Sequence, residues 1–282
     1  MFGYRTDGKK VKDLPAFFRL IPHIMKKRSD AHVYYQEDIS LEPLDNYIDA
    51  KSKEGINISY MNIIYAAIVR LLAEKPRLNR FVMNGITYQR NKIYVSLAIK
   101  KSMSEDGTET TIKLPFTGTE NIFEVKEKLD SAIAENKSDD VENSTDKLAK
   151  FLGFVPNFLI KLAVNLFMFL DKHGLLPKSI INASPFHASA FLTNMGSLGI
   201  DAIFHHIYDF GTVGMFLSMG KKKKSYIFDD DSFKEARCIS LAWVADERIC
   251  DGYYYANSIK SFKKYLKKPE LLELPISTNN KE

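Results

Sequence analysis

Asp246-Glu247-Arg248-Ile249-Cys250-Asp251-Gly252 carries more structural information than any other stretch of this 282-residue chain. Ahead of it, Arg237 to Asp246 reads as a strand. Behind it, Tyr253 to Leu266 reads as an aromatic-rich helix. Asp251 followed by Gly252 suits the turn that starts this last helix, because an Asp side chain can satisfy the unpaired amides of a first turn. Three carboxylates, Asp246, Glu247 and Asp251, fall within six residues, and like charges at close quarters favour the protonated form. On the plainest reading, Glu247 pairs with Arg248 or a lysine at a surface or an interface.

Working outward, Ser189 to Asn194 and Val213 to Met219 are further strands, so the C-terminal third is strand-rich. The N-terminal half alternates. Asp13 to Arg28 is expected as a helix broken at Pro22, since proline removes a helical hydrogen bond. His32 to Asp38 follows as a strand, and Ser40 can cap a helix carrying Leu41, Leu44 and Ile48. Ser59 caps the clearest helix, Tyr60 to Lys75, which Pro76 ends. Asn84-Gly85, between Phe81-Val82-Met83 and Ile86 to Arg90, is a strong two-residue hairpin turn. Lys92 to Ile99 and Thr108 to Phe116 are strands. A helix from Thr119 or Glu120 to Glu135, a polar loop from Asn136 to Thr145 and an apolar helix from Phe151 to Leu170 complete the chain order. This order predicts an α/β (α+β) fold with a mixed, mostly antiparallel sheet. One domain over 1–268 is expected, with a polar tail over 269–282.

The composition excludes several classes. With 45% hydrophobic and 27% charged residues, the chain can bury a large core. A net charge of +5 is mild, and no basic stripe interleaved with aromatics points to nucleic acid. The compact run Lys221 to Lys224 is expected in a solvated loop, or else beside a cofactor phosphate. Cys238 and Cys250 make neither a disulfide framework nor a zinc pair, and no other ligand group has metal spacing. A reducing, cytoplasmic setting is expected. Pro156, Asn157, Lys161 and Asn165 interrupt Phe151 to Leu170, so a packed helix is favoured over stable membrane insertion, with a membrane-surface helix as the lesser alternative.

Four segments, in order along most of the chain, resemble the chloramphenicol acetyltransferase family and the catalytic domain of dihydrolipoamide acyltransferases. They are the helix ending in Pro76-Arg77-Leu78-Asn79, the Asn84-Gly85 hairpin, Phe191-Leu192-Thr193-Asn194-Met195-Gly196-Ser197-Leu198-Gly199, and the signature turn. The family pattern there is Asp-His-Arg-x-x-Asp-Gly. Asp246, Arg248, Asp251 and Gly252 match, and Glu247 stands in place of the histidine. The resemblance implies a two-layer sandwich with helices on one face of the sheet. It implies acyl transfer between coenzyme A and a small-molecule acceptor, and a homotrimer with sites between subunits. It implies Thr193 as the hydroxyl that steadies the oxyanion, Asp251 and Gly252 as structural residues, and Arg19 as a candidate partner for Asp251. No lipoyl-bearing or subunit-binding segment precedes the domain in this sequence, so a stand-alone protein is expected.

The substitution has a chemical cost. Taking a proton from a thiol near ~8.5, a Glu near ~4.3 starts about 3 kcal/mol worse than a His near ~6.5, roughly a hundredfold in rate. Glu247 is a handicapped base, and burial could narrow the gap. His205-His206, followed by Tyr208 and Asp209, is an alternative source of a base, although neighbours on a strand face opposite ways. His187 has a lesser claim. Two functions stay open: an acyltransferase with altered catalytic residues, and an inactive relative serving as an oligomeric ligand-binding or scaffold protein.

Overall fold

The computed structural model describes residues 5–101, 109–137, 154–229 and 232–276. The strongest local signals fold as read. Ser59 caps the helix Tyr60–Glu74 (α3, after α1, Ala16–Ile24, and α2, Glu42–Lys53) in a reciprocal capping box with Asn62. Every α3 residue from Asn62 to Leu72 is buried. Each large apolar side chain so placed contributes roughly 1.5–3 kcal/mol. The Asn84-Gly85 turn has positive φ at both residues (51° and 72°), as a tight hairpin turn requires.

That hairpin lies apart from the main sheet. Its strands, β3 (Arg80–Met83) and β4 (Ile86–Arg90), join the N-terminal β1 (Gly8–Lys10) in a separate three-stranded sheet, β1-β4-β3. The main sheet has six strands: β2 (His32–Ser40), β5 (Ile93–Lys100), β6 (Glu109–Phe116), β7 (Ala190–Asn194), β8 (Met215–Asp229) and β9 (Ser232–Asp246). Their order is β2-β9-β8-β7-β5-β6. Only β7 runs parallel to its neighbours, β5 and β8, and the remaining pairs are antiparallel. This is the mixed, mostly antiparallel sheet expected.

Alternation along the strands sorts the two faces. Val95, Leu97, Leu192, Leu217, Leu241 and Trp243 face one core with α2, α3, α4 (Ile122–Lys137) and the last helix, α7 (Gly252–Lys267). Trp243 meets Phe262 of α7 edge-on at 4.8 Å, and Tyr65 of α3 donates its hydroxyl to the Val95 carbonyl at 2.8 Å. On the opposite face, Phe191, Phe216 and Val244 form a smaller cluster with Ile207 and Val213 from the segment crossing the sheet.

Several expectations need correcting. Pro22 does not break α1, which runs through it with the flanking bonds from Arg19 N to Pro15 O and from Met25 N to Ile21 O intact. Lys221 to Lys224 lie inside β8 and not in a loop, because β8 and β9 pair as a long ribbon from Met215 to Asp229. Residues 269–274, read as tail, pack on the domain: Leu272 is buried, and Arg70 donates to the Leu274 carbonyl at 2.5 Å. The apolar helix, α5, spans Asn157–Lys172, and a short α6 (Lys178–Ala183) follows. Most of the polar loop expected after Asn136, and residues 151–153, lie outside the described residues.

Candidate active site

The signature turn is held from below. Asp246, the last residue of β9, accepts a bidentate pair from Arg248, with Nε to Oδ1 and Nη2 to Oδ2 both 2.7 Å. Arg28 adds its Nε 3.4 Å from Asp246 Oδ2. Both arginines also donate to backbone carbonyls, Arg248 to Met25 at 3.3 Å and Arg28 to Gly211 at 3.1 Å, and Arg28 also donates to Tyr208. Burial pulls the Arg28 guanidinium below its ordinary range, against the opposing charge of Asp246. Asp246, Arg248, Ile249 and Cys250 are all buried, and Glu247 is the one exposed side chain from Leu241 to Cys250. Among the described residues, no hydrogen bond or ion pair engages Glu247, and its side chain does not line the cleft that opens beside Arg248. The expected pairing with Arg248 does not form, because that guanidinium is spent on Asp246.

Cys250 is no competing nucleophile. Burial, helped by the charge of Asp251, pushes its thiol up to about 12, so it stays protonated. Asp251 caps α7, accepting from Tyr254 N at 2.7 Å. Its ion pair is with Arg77 at 3.5 Å, not with Arg19. Arg19 sits on α1 beside Lys10, Lys12 and His23 at the back of the hairpin, and makes no bond to Asp251. Gly252 is uncrowded: a Cβ there would meet nothing within 4 Å, so the protomer itself does not demand glycine.

Thr193 lies near the end of β7, almost buried, with its hydroxyl 3.7 Å from the thioether of Met195. The turn that follows is capped by Asn194, which accepts from Ser197 N at 3.1 Å. Gly196 is required there, since a Cβ would stand 2.4 Å from the Gly220 carbonyl. Thr193 aligns with Ser218, and Ser218 with Ala242. From Ala242 to Asp246 is about 13 Å of strand, and two strand spacings add about 10 Å sideways. A base and an oxyanion donor must both come within about 3 Å of the reacting atoms. Thr193 and Glu247 of one protomer therefore cannot serve the same reaction centre.

The histidines divide. His205 stacks on Phe216 at 4.5 Å, and its Nε2 is buried without a hydrogen-bond partner among the described residues. Burial, then the charge of His206, lowers its pKa. His206 is exposed against Tyr208. Neither is hydrogen-bonded to Thr193. His187 is buried in a network that the sequence did not reveal. Its Nε2 is 3.1 Å from Asp171 Oδ2 and its Nδ1 2.8 Å from Ser184 Oγ. Arg5 links Asp171 to Asp7, and the arrangement ties the N-terminus to α5. Lys223 pairs with Asp201 and Asp38, Lys224 with Glu235, and Lys222 lies over the Tyr60 ring, so most of the basic run is already engaged.

A cleft of about 540 Å³ opens next to the locked turn, between α1, the β3–β4 hairpin and α5. Arg28 and Arg248 reach its floor. Val82, Met83, Met168 and Phe169 give it an apolar wall, and Lys26, Lys27 and Lys172 a cationic one.

Residues 182–274 match the family of 2-oxoacid dehydrogenases acyltransferase (catalytic domain). The chain has the acyltransferase fold of the chloramphenicol acetyltransferase type. A probable dihydrolipoamide acetyltransferase from Listeria monocytogenes 4b F2365 superposes with a TM-score of 0.57 at 16% identity, covering 98% of each chain. The cubic core of the pyruvate dehydrogenase multienzyme complex gives 0.57 at 13% identity over 94% of this chain and 95% of the other. A chloramphenicol acetyltransferase gives 0.55 at 12%, over 92% and 100%. No curated protein sequence matches the chain. Within the acyltransferase fold, the residues that sequence reasoning missed are Arg28 and Arg77. Each stood in a quoted or basic stretch, but its carboxylate partner is more than 170 residues away.

Proposed function

We propose that this chain transfers an acyl group from coenzyme A to a small-molecule acceptor, at a site assembled between protomers of a homotrimer, with Glu247 as the base. The observation that carries the reading is the signature turn: a buried three-residue ion cluster fixes the backbone so that one side chain, Glu247, projects. General-base chemistry also needs the carboxylate itself positioned, and in this reading the neighbouring subunit or the bound acceptor supplies that. The roughly 16 Å of sheet between Thr193 and Asp246, the residue before Glu247, supports a composite site, in which Thr193 of a neighbour steadies the oxyanion. One solved neighbour in fold is itself part of a cubic core, which fits self-assembly. The cleft beside Arg248, apolar on one wall and cationic on the other, suits a phosphate-bearing thioester. Two free, buried cysteines suit a reducing, cytoplasmic setting.

Glu247 in this role takes the acceptor's proton as the acceptor attacks the thioester carbonyl, and the negative charge that develops on that carbonyl's oxygen is met by the Thr193 hydroxyl. The coenzyme A thiolate then leaves and recovers the proton. A second reading, an inactive relative that binds ligand or builds an assembly, is favoured by one observation: nothing in the protomer orients the Glu247 carboxylate. Subunit mixing separates the two. Glu247→Gln and Thr193→Val homo-oligomers are each expected to be inactive with acetyl-coenzyme A, and co-refolded mixtures to regain activity through hybrid sites. Mixtures as inactive as their parents, alongside an inactive native protein, would establish the second reading.

A further inference from the structure

Helix α5 is built against the usual rule for a surface helix. Eleven of its sixteen residues are apolar, yet Asp171 is its only buried residue. A helix that is apolar around most of its circumference is normally enclosed. Phe158 and Leu162 are 70% and 64% exposed. Across the cleft, α1 repeats the pattern on one stripe: Phe17, Leu20 and Ile24, at spacings of three and four, are more than half exposed. Contiguous apolar surface of this kind marks an interaction site.

The charges flanking this surface say what covers it. Residues 16–28, which include α1, contain Arg19, Lys26, Lys27 and Arg28 and no carboxylate. Residues 157–178, which include α5, contain Lys161, Lys172 and Lys178 and a single carboxylate, Asp171, which is buried and paired with Arg5. Within these two segments the exposed charges are all cationic, and the nearby Asp209, at the cleft between them, is tied to the amides of Arg28 and Ser29. In a two-fold contact, two copies of this face would set lysine against lysine; in a threefold ring it would meet a different surface of the neighbouring copy, and the size in solution tells that case apart. An anionic bilayer surface offers apolar depth and headgroup charge at once, which is the complement of this pattern. Among the described residues no helix is long and apolar enough to cross a membrane, so the contact is one of lying in the interface.

We infer that α1 and α5 dock the protein on an anionic phospholipid surface, with Phe17, Leu20, Phe158 and Leu162 entering the headgroup boundary and Arg19, Lys161 and Lys178, which lie outside the cleft, meeting phosphate. This stands apart from the acyl-transfer reading, since it uses neither Glu247 nor Thr193.

Flotation of the full chain with vesicles tests it. The native protein is expected to float with phosphatidylcholine vesicles containing about 30% phosphatidylserine, and not with phosphatidylcholine alone. Phe158→Glu combined with Leu162→Glu is expected to lower vesicle-bound protein at least about tenfold, while the thermal melt and the size in solution stay as in the native protein. Both substituted positions are exposed, so folding is not at stake. Lys161→Glu is expected to weaken binding about fivefold and to leave the melt unchanged. Native protein that stays at the bottom with both vesicle types at low salt overturns the inference. So does a double variant that falls from an oligomer to a smaller species, because then a second copy covers α5.

Discussion

The two ends of the proposed site are built in opposite ways. At Glu247 the backbone is pinned by Asp246, Arg28 and Arg248, while the side chain itself is free. At Thr193 the side chain is nearly buried, yet its hydroxyl has only a thioether for company. The first end is prepared within the protomer; the second waits for something to be brought to it. The contrast teaches that one element can have its backbone fixed and its side chain left open while another has its side chain enclosed and its hydroxyl left without a strong partner; the proposed composite site is what would join the two.

The comparison is broken most severely at the pinned end. Asp246→Ala leaves two buried guanidinium groups without their carboxylate, and a loss of about 3–5 kcal/mol in unfolding free energy is expected by urea titration. Thr193→Val should behave in the reverse manner. It is expected to cost under about 1 kcal/mol in stability and to lower kcat by about a hundredfold or more, as removal of an oxyanion donor does. Equal stability losses for the two variants would mean that the ends do not differ as described.

A carboxylate far from the site calibrates the scale. Glu120 sits before α4. Its burial disfavours the charge, but this is outweighed by Lys128 at 2.8 Å and by the amides of Thr117 and Gly118, and its pKa falls from 4.5 to about 2. A carboxylate with a lowered folded pKa binds fewer protons than in the unfolded chain, so its stabilisation is complete above about 4.5 and is lost as the pH falls toward 2. Glu120→Gln is expected to cost about 1–3 kcal/mol at pH 7 and to flatten that part of the acid limb, measured by unfolding across pH 2–5. The smallest effect belongs to Asp251. Asp251→Ala removes the α7 cap for about 1 kcal/mol, and Asp251→Asn restores most of it. An activity loss that Asp251→Asn does not rescue would assign the Arg77 pair a role beyond capping.

Legibility in the sequence followed the range of the interaction. The capped helix α3 and the Asn84-Gly85 hairpin were readable because a few adjacent residues specify each. The sheet to which that hairpin belongs was not, because β1 and β4 are some eighty residues apart and no local pattern records their pairing. Lys221 to Lys224 misled because a charge run reads as loop, whereas on the edge of a ribbon Lys222, Lys223 and Lys224 each find a ring or a carboxylate. At the site, Glu247, Thr193 and Asp251 were singled out through the family resemblance of the turns that carry them, and of their expected roles the fold shows the structural one of Asp251, which caps α7. Arg19 was the wrong arginine: Arg28 and Arg77 differ from it only in three-dimensional neighbours. The exposure of α5 was hidden too, since apolar spacing alone cannot tell a buried helix from one awaiting cover.

Acyl transfer from acetyl-coenzyme A to dihydrolipoamide, followed by release of coenzyme A, compares the native chain with Glu247→Gln and Glu247→His. Turnover by the native protein, a loss of a hundredfold or more in Glu247→Gln and recovery in Glu247→His are expected if the projecting carboxylate is the base. A Glu247→Gln variant as active as the native chain, or activity that appears only in Glu247→His, would contradict it.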